Sequence, residues 1–182
     1  LREAGRITVE SSLILETLAG AMTLAVCDRP FLDVVIESVQ QTWTRDPFDR
    51  LIAALPAGAR VAVISNAVDF IPAEDRLAYA RNVFDPVEHF RRRGLAANDL
   101  DLRAFFADPE SLVETLKDVK LVWANGGNAF LLRRAMMQSG LDVLLRDRVP
   151  AGTLIYGGWS AGAVVAGSSL LGLDLMDDPE LV

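Results

Sequence analysis

The sequence predicts an α/β fold, a three-layer sandwich built on a mainly parallel sheet. Three observations carry that prediction. Short, nearly unbroken apolar runs (Val61-Ala62-Val63-Ile64, Leu121-Val122-Trp123-Ala124 and Thr153-Leu154-Ile155-Tyr156) read as strands covered on both faces. Helical patterns separate these runs, so the connections are the crossovers that parallel strands require. The 182 residues are 51% hydrophobic and 24% charged, enough apolar material for one domain with a real core. Residues 1–182 are accordingly read as a single α/β domain, in which residues 1–45 fit the rhythm least well.

Composition narrows the function. A formal net charge of -7 argues against nucleic acid or an anionic membrane as partner, because both are bound through clustered Lys and Arg. Cys27 is the single cysteine and His89 the single histidine, which excludes a disulfide framework or multi-cysteine zinc site and leaves little for a His-based metal site. No metal or organic cofactor is expected, and a reducing, cytoplasmic compartment is. The sequence starts on Leu1, as a processed chain, a fragment or an unusual start codon would. The apolar stretch from Leu13 to Cys27 is interrupted by Glu16 and is short of a membrane span of ~20 residues. It reads as a buried helix followed by a strand near 21–27.

Asp46-Pro47 opens a short helix ending near Leu55, since Asp caps well and Pro suits a first turn. After the turn at Pro56-Ala57-Gly58 comes the strand at 61–64. Pro72 opens a long helical stretch with Leu77, Tyr79, Ala80, Val83, Phe84, Val87 and Phe90 inward, split at Asp85-Pro86 and closed by Gly94. Leu100 to Phe105 reads as a second strand. Asp108-Pro109-Glu110 begins a helix with Leu112, Val113, Leu116 and Val119 inward. The third strand, 121–124, runs into Asn125-Gly126-Gly127-Asn128. Helix follows over 130–138 and again after Gly140. Pro150-Ala151-Gly152 then turns the chain into the strand at 153–156.

Open parallel sheets bind ligands at the carboxyl ends of their strands. Two Gly-rich segments fall there, Asn125-Gly126-Gly127-Asn128 and Gly157-Gly158-Trp159-Ser160-Ala161-Gly162-Ala163. The second contains Gly-x-Ser-x-Gly between a strand and a small-residue helix. Such a turn lifts a serine hydroxyl above the sheet and puts the next amide, that of Ala161, where negative charge can be held. A Gly-rich turn that merely packs closely, or that binds an anion, has the same spacing. Gly127 reads either as a second amide donor toward the serine or as a loop glycine, with Asn128 as the helix cap.

Together with Val61-Ala62-Val63-Ile64-Ser65-Asn66-Ala67, Asp99 to Arg103, Gly126 to Leu132 and Asp177-Asp178-Pro179, these strings resemble the dipeptidase E (aspartyl dipeptidase) family of serine peptidases, which includes cyanophycinase. The resemblance implies a class I glutamine amidotransferase-like fold with serine in place of the elbow cysteine, and metal-free hydrolysis of short, Asp-containing peptides. By position Ser160 resembles the nucleophile, Gly127 and Ala161 the oxyanion donors, and Asp177 the acidic triad member, with Asp178 next in line. Asn128 and Trp159 flank these positions as substrate contacts.

The family's base is a histidine after the acid, whereas His89 reads as a surface side chain beside Glu88. The expectation is that the base and the end of the domain lie beyond Val182. A sheet edge left open there would invite a homodimer. Ser168-Ser169-Leu170-Leu171 stands where an Asp-selective arginine would be sought, which favours a general peptidase over an Asp-specific one. The alternative is a non-catalytic binding or regulatory homologue that keeps the turn for ligand contact. An amidotransferase would need an elbow cysteine, and Cys27 is far from that turn.

Overall fold

The computed structural model describes residues 6–9, 13–16, 23–26 and 51–181, except 73, 77, 80–84 and 168. Among the described residues seven strands form one sheet: β1 (Arg6–Val9), β2 (Leu13–Glu16), β3 (Thr23–Val26), β4 (Arg60–Ile64), β5 (Ala96–Asp99), β6 (Val119–Ala124) and β7 (Ile155–Trp159). Their order is β1-β2-β3-β7-β6-β4-β5. The four strands from β7 to β5 are parallel, while β1, β2 and β3 join antiparallel and reach the parallel set through β3 against β7.

Strand periodicity makes the layers. Ala62 and Ile64 of β4, with Val122 and Ala124 of β6, bury into one apolar cluster. Val61 and Val63, with Leu121 and Trp123, bury into another. Successive side chains point to opposite faces of a strand, so these two clusters lie on the two sides of the sheet. The first is capped by α2 (Pro109–Leu116), α3 (Ala129–Ser139), α4 (Leu141–Arg148) and α5 (Ala161–Val164); the second takes Phe90 from α1 (Pro86–Arg91) and Leu51 and Leu55. Trp123 is fully buried and meets the Phe90 ring edge-on, centroids 5.5 Å apart. The predicted three-layer α/β sandwich is the observed one.

The Asp-Pro starts behave as the sequence predicts. Asp85 and Asp108 accept from the amides of Glu88 and Ser111, each with Pro at the first helical position. Gly94 closes the α1 region at φ 79.

Four expectations are corrected. The second strand is Ala96–Asp99, not 100–105; as an edge strand it buries only Ala97, so its apolar signal is weak. Residues Leu102–Phe105 instead form a 3-10 turn, started when the Asp101 side chain accepts from the Arg103 amide. Val113 is 55% exposed because Leu112 and Leu116, four residues apart, define the inward face of α2. Tyr79, expected inward, is exposed. Residues 13–16 form a strand against β1 rather than a helix, an ambiguity periodicity does not resolve in short apolar runs.

The helix expected from Asp46 is described only at 51–53, and the part of the Pro72 stretch before its split at Asp85-Pro86 only at 74–76 and 78–79; Leu77, Ala80, Val83, Phe84, Asp46 and Cys27 lie outside the described residues. Among the described residues no helix is long and apolar enough to cross a membrane.

Candidate active site

At the carboxyl end of β7 the chain turns through Ser160 into α5. Ser160 sits at φ 51, ψ -120, and no other described non-glycine residue has a positive φ. Holding a non-glycine residue there costs about 1–3 kcal/mol, so the surroundings must enforce it. They do so through the two motif glycines. A Cβ on Gly158 would stand 2.8 Å from the Ala124 carbonyl oxygen, and one on Gly162 only 2.1 Å from it. The turn is thus pressed onto the end of β6. Below it, the buried Tyr156 hydroxyl donates to the Gly162 carbonyl at 2.6 Å. Burial pushes this phenol well above its ordinary range, which keeps it a donor. Ser160 itself is half-buried.

The loop after β6 closes over this turn. A Cβ on Gly126 would lie 3.0 Å from the Ser160 Cβ and 3.3 Å from the Trp159 ring. Gly127 has φ 141, and a Cβ there would meet the Ala67 carbonyl oxygen at 2.4 Å. The amide of Asn128 donates to that same carbonyl at 2.8 Å. Structure therefore brings Ser160, Gly126 and Trp159 together, while Gly127, the next residue along, is packed against Ala67.

Asn128 is put to a structural use. It is buried, its Oδ1 accepts from the Phe130 and Leu131 amides, and its Nδ2 donates to the Asp178 carbonyl. These bonds leave its side chain as the cap of α3 rather than a surface offered to substrate. Asn128→Ala is expected to cost about 1–2 kcal/mol, the worth of an N-cap, read as a lowered denaturation midpoint.

Asp177 lies against the same helix start. Its Oδ2 accepts from the Ala129 amide at 2.8 Å. The 177–178 segment is thereby tied to the residue following Asn128. His89, on α1, has its Nδ1 3.1 Å from Nη1 of Arg93.

A cleft of about 580 Å³ opens beside the turn, lined by Ser65, Asp99, Asn125, Gly126 and Trp159 among others. It lies between the carboxyl ends of β4 and β6, whose outgoing connections lead to opposite sides, to β5 and to β7. That is where open α/β sheets place ligands. Across its floor Asn125 Nδ2 donates to Ser65 Oγ at 3.0 Å, and Ser65 Oγ donates to Asp99 Oδ1 at 2.8 Å. Burial pushes the Asp99 carboxyl above its ordinary range, outweighing the Ser65 hydrogen bond that lowers it. Sequence reasoning singled out Ser65 and Asp99 within longer strings but gave them no role. Their position at the ends of adjacent parallel strands was the available signal.

The far wall is a charged clamp. Asn66, 2% exposed, donates to Asp69 and Asp101 at 2.9 Å each and accepts from the Leu102 amide. Arg103 pairs with Asp101 at 2.6 Å, and Arg76 with Asp69 at 3.2 Å. Burial alone would raise the Asp101 carboxyl, but the bonds from Arg103 and Asn66 outweigh it and hold it at about 2. A carboxyl held below its unfolded value of about 3.9 adds stability above that value and loses it as pH falls toward the folded one. Denaturant midpoints should therefore drop between pH 4 and pH 2, and Asp101→Asn should flatten that drop by about 1 kcal/mol after solvent screening.

Comparison with known proteins identifies the lineage. Peptidase E of Pasteurella multocida is 33% identical over 104 residues, covering 57% of this chain and 42% of that protein. Peptidase E of Shewanella sp. (strain W3-18-1) is 38% identical over 77 residues, covering 42% and 32%. These matches thus span less than half the length of these curated relatives. A crystal structure of a Listeria monocytogenes EGD-e protein assigned to peptidase E has the same fold, with TM-score 0.57 and 23% identity over 72% of this chain and 61% of that one. Residues 58–181 match peptidase family S51, and the chain belongs to that family.

Proposed function

We propose that this protein is a serine peptidase of the dipeptidase E kind that hydrolyses short peptides, with Ser160 as nucleophile. The observation that carries the reading is the Ser160 backbone, a strained positive-φ serine between a buried strand and a helix. Ser160 Oγ attacks the peptide carbonyl and gives up its proton to a base. The Gly127 and Ala161 amides hold the tetrahedral oxyanion. The amine departs protonated, and water then cleaves the acyl-enzyme ester by the same steps in reverse. Asp177, or Asp178 beside it, is the proposed acid of the triad. The base is the one part of the mechanism these residues leave unassigned, and the mechanism requires it because a serine hydroxyl is a weak nucleophile without one.

Gly126 and Trp159 line the cleft, and Gly126 lies against the Ser160 Cβ, which supports the cleft as the place where a peptide would meet the serine. The test is labelling of the complete gene product by a serine-directed fluorophosphonate. Incorporation mapped to Ser160 and abolished in Ser160→Ala is expected. A folded, unlabelled protein would replace the peptidase reading with a non-catalytic binding role.

A further inference from the structure

Tyr156 is a buried titratable side chain, 3% exposed, to which the proposed mechanism gives no role. It stands on β7 shortly before Ser160, and its strand is paired on both sides, with Val122 of β6 and Val26 of β3 opposite it. The ring is therefore fixed to the middle of the sheet. Its hydroxyl donates to the Gly162 carbonyl at 2.6 Å. In a longer helix the Ala166 amide would take that carbonyl, but it donates to the Ala163 carbonyl at 3.3 Å instead.

From Gly162 the bonds run on. The same peptide group carries the Ala163 amide, which donates to the Ser160 carbonyl at 2.9 Å. That carbonyl shares its own peptide group with the Ala161 amide, the donor proposed for the oxyanion. A trans peptide points its N–H and C=O in opposite directions. The groups thus form one head-to-tail chain, from the Tyr156 hydroxyl through the Gly162–Ala163 peptide to the Ser160–Ala161 peptide. Ala161, Gly162 and Ala163 are buried, so the chain runs through protein rather than water. Linked hydrogen bonds in such surroundings polarise one another, by about 10–30% per bond. The chain also grips the carbonyl of the residue held at φ 51.

We propose that Tyr156 is a positioning residue for catalysis, whose hydroxyl, acting through the Gly162–Ala163 peptide, fixes and strengthens the Ala161 amide as oxyanion donor. This rests on the peptidase reading. Tyr156 packs in the same apolar cluster as Val122 and Ala163, where phenylalanine would fill the same space. Packing therefore asks only for the ring, and the oxygen serves the bond to Gly162. Burial keeps the phenol protonated well above its ordinary range, so the chain keeps one direction.

The test compares the unaltered complete gene product with Tyr156→Phe in the kinetics of fluorophosphonate labelling, over a range of probe concentrations well below both melting midpoints. Phosphonylation of the serine builds negative charge on a phosphoryl oxygen, as acylation does on a carbonyl oxygen, so its maximal rate reports the donor. Deleting an oxyanion donor outright lowers a rate about 10²–10³-fold, and weakening one at a remove is expected to lower it roughly tenfold. The half-saturating concentration should stay within about twofold, since ground-state binding is untouched. Leu144→Ala, at a buried core position on α4 outside this chain of bonds, lowers the midpoint and should label at the unaltered rate. An unchanged maximal rate in folded Tyr156→Phe overturns the proposal, as does a loss confined to the half-saturating concentration or an equal slowing in Leu144→Ala. If Tyr156→Phe does not melt cooperatively, 3-fluorotyrosine at position 156 keeps the hydroxyl and makes it a stronger donor. Faster labelling then upholds the chain, and equal or slower labelling overturns it. The two readings separate on the unaltered protein. No labelling there removes the peptidase and this inference with it; labelling there at a rate that Tyr156→Phe matches leaves the peptidase and removes only the role of Tyr156.

Discussion

Replacing Ser160 by alanine is expected to lower kcat of the complete gene product by at least about 10⁴-fold, because members of a nucleophile–base unit fail together. The substitution removes one oxygen and keeps the Cβ, so the turn keeps its neighbours, including the contact made with Gly126. Alanine bears the same φ 51 strain as serine. Stability should therefore stay within about 1 kcal/mol of the unaltered protein, a surface-like change. Activity on a short peptide library, followed by chromatography of the cleaved amines, reads the first quantity, and a thermal melt reads the second. Residual activity above about one part in a hundred would show that the hydroxyl is not the nucleophile.

Gly162→Ala should produce the largest change in stability. Its Cβ would stand 2.1 Å from the Ala124 carbonyl oxygen and 2.6 Å from the carbonyl carbon. Both are backbone atoms of a buried central strand, which cannot swing aside as a side-chain tip can. Overpacking costs about 1–3 kcal/mol where side chains can adjust, so at least about 3 kcal/mol is expected here. For a chain of this size each kcal/mol moves the midpoint by roughly 2–4 °C, which predicts a fall of roughly 6–12 °C. The same methyl would push α5, and with it the Ala161 amide, away from β6. Activity should then fall beyond what unfolding explains, measured as kcat well below the variant's melting range. A melt and a rate both near those of the unaltered protein would mean that the turn is not pressed onto β6.

The two substitutions probe different links. One removes chemistry from an intact turn, and the other distorts the turn while leaving the hydroxyl in place. A parallel loss in both is the signature expected if the glycines serve the serine rather than the packing alone.

Much of this was written in local sequence. Val61 to Ile64 and Leu121 to Ala124 lack polar interruption because helices cover both faces of their strands, and that pattern alone called for a parallel sheet. The Asp-Pro pairs at 85–86 and 108–109 and the Asn128 cap act within three residues, so their effect needs no distant partner. Gly158, Ser160 and Gly162 likewise announce a tight turn by spacing. What spacing does not say is which atom the glycines avoid, and that atom is the Ala124 carbonyl, more than thirty residues earlier.

Pairing decided the rest. The edge strand was misplaced by four residues because Ala96 to Asp99 bury only Ala97, and its backbone partner on β4 defines it instead. Asn128 reads in sequence as a helix cap or a substrate contact, and its second bond, to the Asp178 carbonyl fifty positions later, is one that sequence did not announce. The Asp99–Ser65–Asn125 relay joins residues that neighbour one another only because β5, β4 and β6 lie side by side in an order that is not their order in the chain. The sequence alone determined the layers, the helix starts and the serine turn, since each depends on contacts within a few residues or on burial itself. Only the tertiary structure decided which carboxylates at the mouth of the sheet pair with arginines, because strand order and long-range pairing set charge balance there.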